Sequence, residues 1–196
     1  MRLLVISNPD PVVKEAAIIN GLFAAGLSCF HLRKPDYSRT ELRDLLNQIQ
    51  PSYYPWIALH QHHEIAEEFG LTRLHYTEQA YTAASAELLE SQKEQGFILS
   101  TSLHQLEKLT SLNRFDYVFY GPVFNSLSKP GYHSKLSPGF RLIPPFGAPK
   151  VIALGGIAKE NLQQIKEMNF DGAAILGTIW NKPEQGVENF KQLNND

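Results

Sequence analysis

The chain has 196 residues, 43% of them apolar and 19% charged, which suits one globular domain spanning 1–196 and shows no linker or low-complexity stretch. A formal net charge of -2 lacks the basic surplus that marks nucleic-acid or anionic-membrane recognition, so a small molecule is the expected partner. The single cysteine, Cys29, excludes an internal disulfide and a cysteine-based zinc cluster, which fits a reducing compartment.

The opening "MRLLVISNPD" has too short an apolar run for a signal peptide, and nothing later offers the roughly 18 apolar residues of a membrane span. A cytoplasmic location is expected. From there, short apolar runs alternate with helix-spaced segments. "RLLVIS" (2–7) leads to "VVKEAAIINGLFAAG" (12–26), and "CFHLRK" (29–34) to "SRTELRDLLNQI" (38–49), where Ser38 and Glu41 have capping-box spacing. "WIALH" (56–60) precedes "HEIAEEFG", "RLHYT" (73–77) precedes "AASAELLESQKEQ", and "FILSTS" (97–102) precedes "LHQLEKLTSL". "YVFYGPVF" (117–124) runs into a loop rich in Ser, Pro and Gly. "KVIALGGI" (150–157) is followed by "AKENLQQIKEM", and "GAAILGTIW" (172–180) by "PEQGVENFKQL".

Eight strand candidates without clean apolar/polar alternation predict a parallel sheet covered on its outer face and closed on itself, a compact (β/α)8 TIM barrel. Its sixth helix is degenerate, because "GFRLIPPFGAP" (139–149) carries Pro144, Pro145 and Pro149 and supports at most a turn or so. The competing doubly wound open sheet wants a Gly-rich turn after the first strand, and "SNPDP" is not one.

In such a barrel the chemistry sits where strands run out into the following loops. These positions are Asn8; His31, Arg33 and Lys34; His60; His75 and Glu78; Ser102 and His104; Lys129, His133 and Lys135; Gly155 and Gly156; Gly177 and Thr178. The glycine pair that ends the seventh strand has two readings. Bare amides at Gly155, Gly156 and Ile157, facing those of Gly177 and Thr178, suit a phosphate dianion. Alternatively, the glycines relieve crowding at a tight turn. The sixth loop adds the Ser126 and Ser128 hydroxyls and the Lys129 cation, which suit a second anionic group or simply a solvated loop. "HQHHE" (60–64) lacks the i, i+4 histidine spacing of a zincin helix, so no transition metal is expected there. His60 points toward the mouth, His62 and His63 are expected at the surface, and His75 reads as a satisfied core residue. Tyr53, Tyr54 and Trp56 are expected to be exposed and would suit a homodimer.

These motifs resemble the thiamine-phosphate synthase and TenI superfamily over nearly the whole chain. "GPVFNSLSK" (121–129) is similar to the family's "GPVF-x-T-x-T-K", "GGIAKEN" to its "GGI-x-x-x-N", "FDGAAILGTI" (170–179) to its "ADGVAVISAI", and "TSLH" to its "GVSxH". The resemblance implies a (β/α)8 barrel in thiamine biosynthesis. There a thiazole phosphate attacks a pyrimidine-methyl diphosphate as pyrophosphate leaves, with Mg2+ and Arg, Lys and Ser groups stabilising the departing charge. It implies that Arg33, Ser102 and Lys129 hold the diphosphate, and that the amides of Gly156, Gly177 and Thr178 hold the thiazole phosphate.

The chain departs from the family at the metal. The family's "QLREK" reads "HLRKP" here, and its two Mg2+-binding Asp positions hold Gln61 and Ala80. Neither side chain carries the charge Mg2+ prefers, and Glu78 is the nearest substitute carboxylate. A TenI-like thiazole tautomerase would instead need a histidine for proton transfer. The position that supplies it in the family holds Pro122, which leaves His31, His60, His104 and His133 as alternatives. A non-catalytic thiazole-phosphate binding or regulatory protein, and an unrelated phosphate-binding barrel enzyme, are the other readings.

Overall fold

A computed structural model describes residues 1–125 and 136–194. Eight parallel strands close into a barrel in sequence order: β1 (Arg2–Ile6), β2 (Phe30–Leu32), β3 (Ile57–Leu59), β4 (Arg73–Tyr76), β5 (Ile98–Leu103), β6 (Tyr117–Tyr120), β7 (Lys150–Leu154) and β8 (Gly172–Ile175). The predicted (β/α)8 architecture is thus observed. β8 returns to β1 in the register Arg2↔Gly172 to Val5↔Ile175. Most strands stop short of the apolar run that announced them, because the last residues of each run turn out into the mouth loops.

The connecting helices are lean. They are α1 (Glu15–Ala24), α2 (Arg39–Leu46), α3 (Ala66–Phe69), α4 (Glu78–Ala83), α5 (Ala86–Glu94), α6 (Leu162–Glu167), α7 (Gly177–Trp180) and α8 (Gly186–Asn194). The capping box at α2 is present: Glu41 N–H donates to Ser38 Oγ at 3.3 Å, and Ser38 N–H donates to the Glu41 carboxylate at 2.8 Å. The fourth unit carries two helices in place of one. Ala84 swings out of helical geometry, and Ser85 starts a new helix by accepting from Leu88 N–H at 3.1 Å. The fifth unit has only a 3-10 turn at Leu106–Leu112. Among the described residues between β6 and β7 there is no helix, as the prolines dictate.

Strand alternation divides the core in two. Outward-facing Val5, Phe30, Leu32, Ile57, Leu59, Leu99 and Val118 pack under the helices. Leu4, Ile6, Cys29, Ala58, Tyr117, Phe119, Ile152 and Ala174 fill the interior. Trp180 Nε1 donates to the Ile6 carbonyl at 2.7 Å and ties the end of the last unit to the first strand. Tyr53 and Tyr54 are not free surface residues, contrary to expectation: Tyr53 stacks on Phe23 with ring centroids 4.6 Å apart, and Tyr54 donates to the Leu46 carbonyl. Trp56 is exposed, with the Arg73 guanidinium 5.2 Å from its ring. Among the described residues no helix is long and apolar enough to cross a membrane.

Candidate active site

The C-terminal ends of β2, β3 and β4 bring three imidazoles together. His31 Nδ1 lies 2.9 Å from His60 Nε2, and the His60 and His75 rings stack at 4.0 Å between centroids. Each ring has a fixed neighbour. Tyr117 Oη is 2.8 Å from His31 Nε2, reaching across the barrel from β6. Ser100 Oγ lies 2.9 Å from His75 Nδ1 and 3.3 Å from the Leu74 carbonyl oxygen. Ser102 Oγ stands 3.2 Å from His75 Nε2. Phe119 forms the floor, 4.5 Å from the His31 centroid and 5.1 Å from that of His75.

His31 and His75 are 0% and 1% exposed, while His60 is half-buried at the mouth. Burial holds all three imidazoles neutral and pushes their pKa values well below 6.5, that of His75 to about 3. Neighbouring positive charge acts in the same direction, including the Arg33 guanidinium beside His60 and His75. Arg33, half-buried, is anchored through its backbone: Ser7 Oγ donates to its carbonyl and accepts from its N–H, both at 2.8 Å. Arg33, Ser102, His31 and His60, all singled out from the sequence, thus share one corner of the mouth. His104 lies exposed beyond the end of β5 and is not among the rings that meet.

His75, Ser100 and Tyr117 complete this cluster. The core reading of His75 captured its burial and missed its neighbours. The available signal was strand parity, since β4 and β5 pair in the register His75↔Ser100 and both residues point inward. His62 and His63 are half-buried, where exposure was expected. His62 Nε2–H donates to the Tyr37 carbonyl at 3.1 Å, and His63 Nε2–H donates to the Leu59 and His75 carbonyls, which draws both rings onto the barrel.

Lys34 turns away from the mouth. It is fully buried against Glu15 at 2.6 Å and donates to the Asp10 carbonyl at 2.8 Å. Gln61 donates its side-chain amide to the Lys34 carbonyl. Ala80 sits inside α4, and Glu78, in the first turn of that helix, pairs with Lys108 at 3.2 Å. A neutral amide, a methyl group and an already paired surface carboxylate do not fit the oxygen-rich, charged shell of a Mg2+ ion.

On the opposite side, Gly155 and Gly156 have φ values of 98° and 64°, backbone that favours glycine. The approach their missing side chains permit is made by the protein itself. A Cβ on Gly156 would lie 2.3 Å from the Asn125 carbonyl oxygen, and one on Gly155 would lie 3.0 Å from Pro122 Cα. Val123 and Phe124 N–H donate to the Leu154 and Gly155 carbonyls at 2.9 and 3.1 Å, so the sixth loop zips onto the seventh. Thr178 Oγ1 donates to the Ile157 carbonyl at 2.7 Å and joins the seventh loop to the eighth, where Gly177 opens α7. Ser126, Ser128, Lys129, His133 and Lys135 lie outside the described residues.

Comparison with known proteins follows this geometry. The model of the family described as thiamine monophosphate synthase matches residues 3–179. A thiamine-phosphate synthase of Latilactobacillus sakei subsp. sakei (strain 23K) is 24% identical over 173 residues, which is 83% of this chain and 76% of that protein. The crystal structure of thiamine phosphate pyrophosphorylase from Bacteroides thetaiotaomicron superposes with a TM-score of 0.74 at 28% identity, covering 100% of this chain and 96% of that one. The Pyrococcus furiosus thiamine phosphate pyrophosphorylase reaches the same TM-score of 0.74 at 16% identity, covering 99% and 94%, and shows the fold alone. With a match over nearly its whole length, the chain belongs to the thiamine monophosphate synthase family.

Proposed function

We propose that this protein is a cytoplasmic transferase of thiamine biosynthesis, coupling a thiazole phosphate to a pyrimidine-methyl diphosphate. A bond forms between the thiazole and the pyrimidine methylene as the bond from that methylene to the diphosphate oxygen breaks, and pyrophosphate carries away the electron pair. The observation that carries this reading is the placement of Arg33 and Ser102 together at the mouth of a barrel of this family. A fixed cation and a hydroxyl at the point where the leaving group gains charge lower the barrier, and water-poor walls strengthen both. The resemblance gives Lys129 of the sixth loop, outside the described residues, as a second cation. The amides at Gly156, Gly177 and Thr178 hold the thiazole phosphate, a role supported by the Thr178 bond that brings the seventh and eighth loops together.

Proton transfer, the tautomerase alternative, fits the same corner less well. A general base works best with a pKa near the working pH, and burial moves His31, His60 and His75 far below it. The test is pyrophosphate release by the purified protein given both substrates. Turnover is expected, and Arg33→Gln should lower it by about 100-fold or more, the scale of losing one fixed charge donor. Thiazole-phosphate binding with no release from the wild-type protein would overturn the transferase reading in favour of binding or tautomerisation.

A further inference from the structure

The interior of the mouth contains a feature the transfer reaction does not use: three ring nitrogens, one each from His31, His60 and His75, all within 4.8 Å of one another. We propose that these three histidines bind one divalent transition ion of the zinc type, leaving its fourth position open toward the mouth. Three arguments lead there from the geometry.

The first is the donor set. Three imidazoles and an open position are what a four-coordinate zinc-type ion takes in reactive sites, and imidazole is a poor ligand for Mg2+. The second is the orientation of the rings. His75 has Nδ1 engaged by Ser100 Oγ at 2.9 Å and makes its longer contact, 3.2 Å to Ser102 Oγ, through Nε2, the nitrogen more readily given to an ion. His31 Nδ1 and His60 Nε2 face each other at 2.9 Å with one proton between them. Ligation by both moves that proton to the other nitrogen of the ring that carries it, so no net proton is released. On His31 that other nitrogen faces Tyr117 Oη at 2.8 Å, an outer partner of the sort that orients metal-bound imidazoles. Ligand nitrogens about 2.0–2.1 Å from a tetrahedral ion are roughly 3.3 Å apart.

The third argument is enclosure. His31 and His75 are sealed beneath the mouth on a floor of Phe119, and only the His60 side is half-open. An ion held there has its free position on the side where Arg33 stands, which suits an anionic fourth ligand. The ion would lie on the side of the barrel where the family's Mg2+ carboxylates are replaced by Gln61 and Ala80. Its bearing on pyrophosphate release rests on the functional reading above, whereas binding of the ion does not.

The experiment is titration of EDTA-treated protein with Co2+ and with Zn2+, without substrate. One equivalent of Co2+ should bind with the intense visible absorption of a four-coordinate ion, and one equivalent of Zn2+ should displace it. His60→Gln and His75→Gln should each weaken binding by about 10-fold or more. His62→Asn should leave it unchanged, which separates the cluster from the "HQHHE" tract; asparagine tolerates the left-handed backbone there, φ 55°. Circular dichroism of each metal-free variant checks that it folds. No Co2+ spectrum from the wild-type protein, or full binding in folded His60→Gln, would overturn the proposal. Metal binding without pyrophosphate release supports the site and sinks the transferase reading; release by a protein that binds no such ion does the reverse.

Discussion

The two sides of the barrel mouth are built on different principles. At the ends of β2 to β5 the working groups are side chains: three imidazoles, a guanidinium and two serine hydroxyls, each placed by strand parity. At the ends of β7 and β8 the loops are built from closely packed peptide units, shaped by glycines whose missing side chains make room for neighbouring backbone. A side-chain site changes its chemistry one residue at a time without disturbing the strands that carry it. A backbone site cannot, because each of its positions is also a packing contact. The difference matches what the resemblance implies: "GGIAKEN" stays similar to the family pattern, while Gln61 and Ala80 stand where it would place the metal carboxylates.

The largest effect expected is acid lability on the histidine side. Imidazoles kept neutral by burial bind fewer protons in the fold than in the unfolded chain, so stability falls as pH drops below about 6.5 and keeps falling toward about 3, where His75 titrates. The charges facing them, Arg33, Arg73 and His63, all oppose protonation. Urea unfolding of metal-free protein should lose several kcal/mol between pH 7 and pH 4, on the order expected for multi-unit shifts. A flat profile across that range would mean that the cluster is hydrated and takes up protons in the fold as readily as in the unfolded chain.

The glycine side breaks differently. Gly70 and Gly156 have nearly the same φ, 65° and 64°, but a Cβ on Gly70 meets nothing within 4 Å whereas one on Gly156 meets backbone at 2.3 Å. Gly70→Ala should therefore cost only the conformational term, about 1–2 kcal/mol. Gly156→Ala should cost about 3 kcal/mol or more, because the sixth loop must shift. Equal costs in denaturant titrations would show that the sixth loop yields freely. For the same reason, lost phosphate binding in a Gly156 variant reports on packing as well as on the phosphate.

The smallest effect sharpens the comparison. Ser102→Ala removes the hydroxyl 3.2 Å from His75 Nε2 and leaves the strand intact. Stability should change by about 1 kcal/mol at most, with pyrophosphate release falling roughly tenfold. Loss of stability without loss of turnover would make Ser102 a structural partner of His75 and nothing more.

Much of the fold was legible because eight apolar runs separated by helix-spaced segments leave few alternatives to a closed barrel, and three prolines announce the missing sixth helix. The site was legible in part. His31, Arg33, His60 and Ser102 are strand-end polar residues, which the architecture itself brings to the mouth. Lys34 had the same credentials and went elsewhere, because Glu15 on α1 offered a buried charge partner that no local pattern reveals. The approach to the glycine pair was equally hidden, since it depends on where residues 122–125 pass in space. His75 reads as a satisfied core residue and is one, buried and bonded to Ser100 and Ser102; its stacking on His60 depends on how β3 and β4 meet in space, which no local pattern reveals.

The pairing of β1 with β8 also orders events during synthesis. Residues 2–5 leave the ribosome long before their partners, residues 172–175. Until β8 and the helix after it emerge, the first strand has one exposed edge, and the tie from Trp180 to Ile6 cannot form. Closure is a late, long-range step with a high loop-closure cost, so a nascent chain stalled before residue 172 should hold an open, sticky sheet that chaperones recognise.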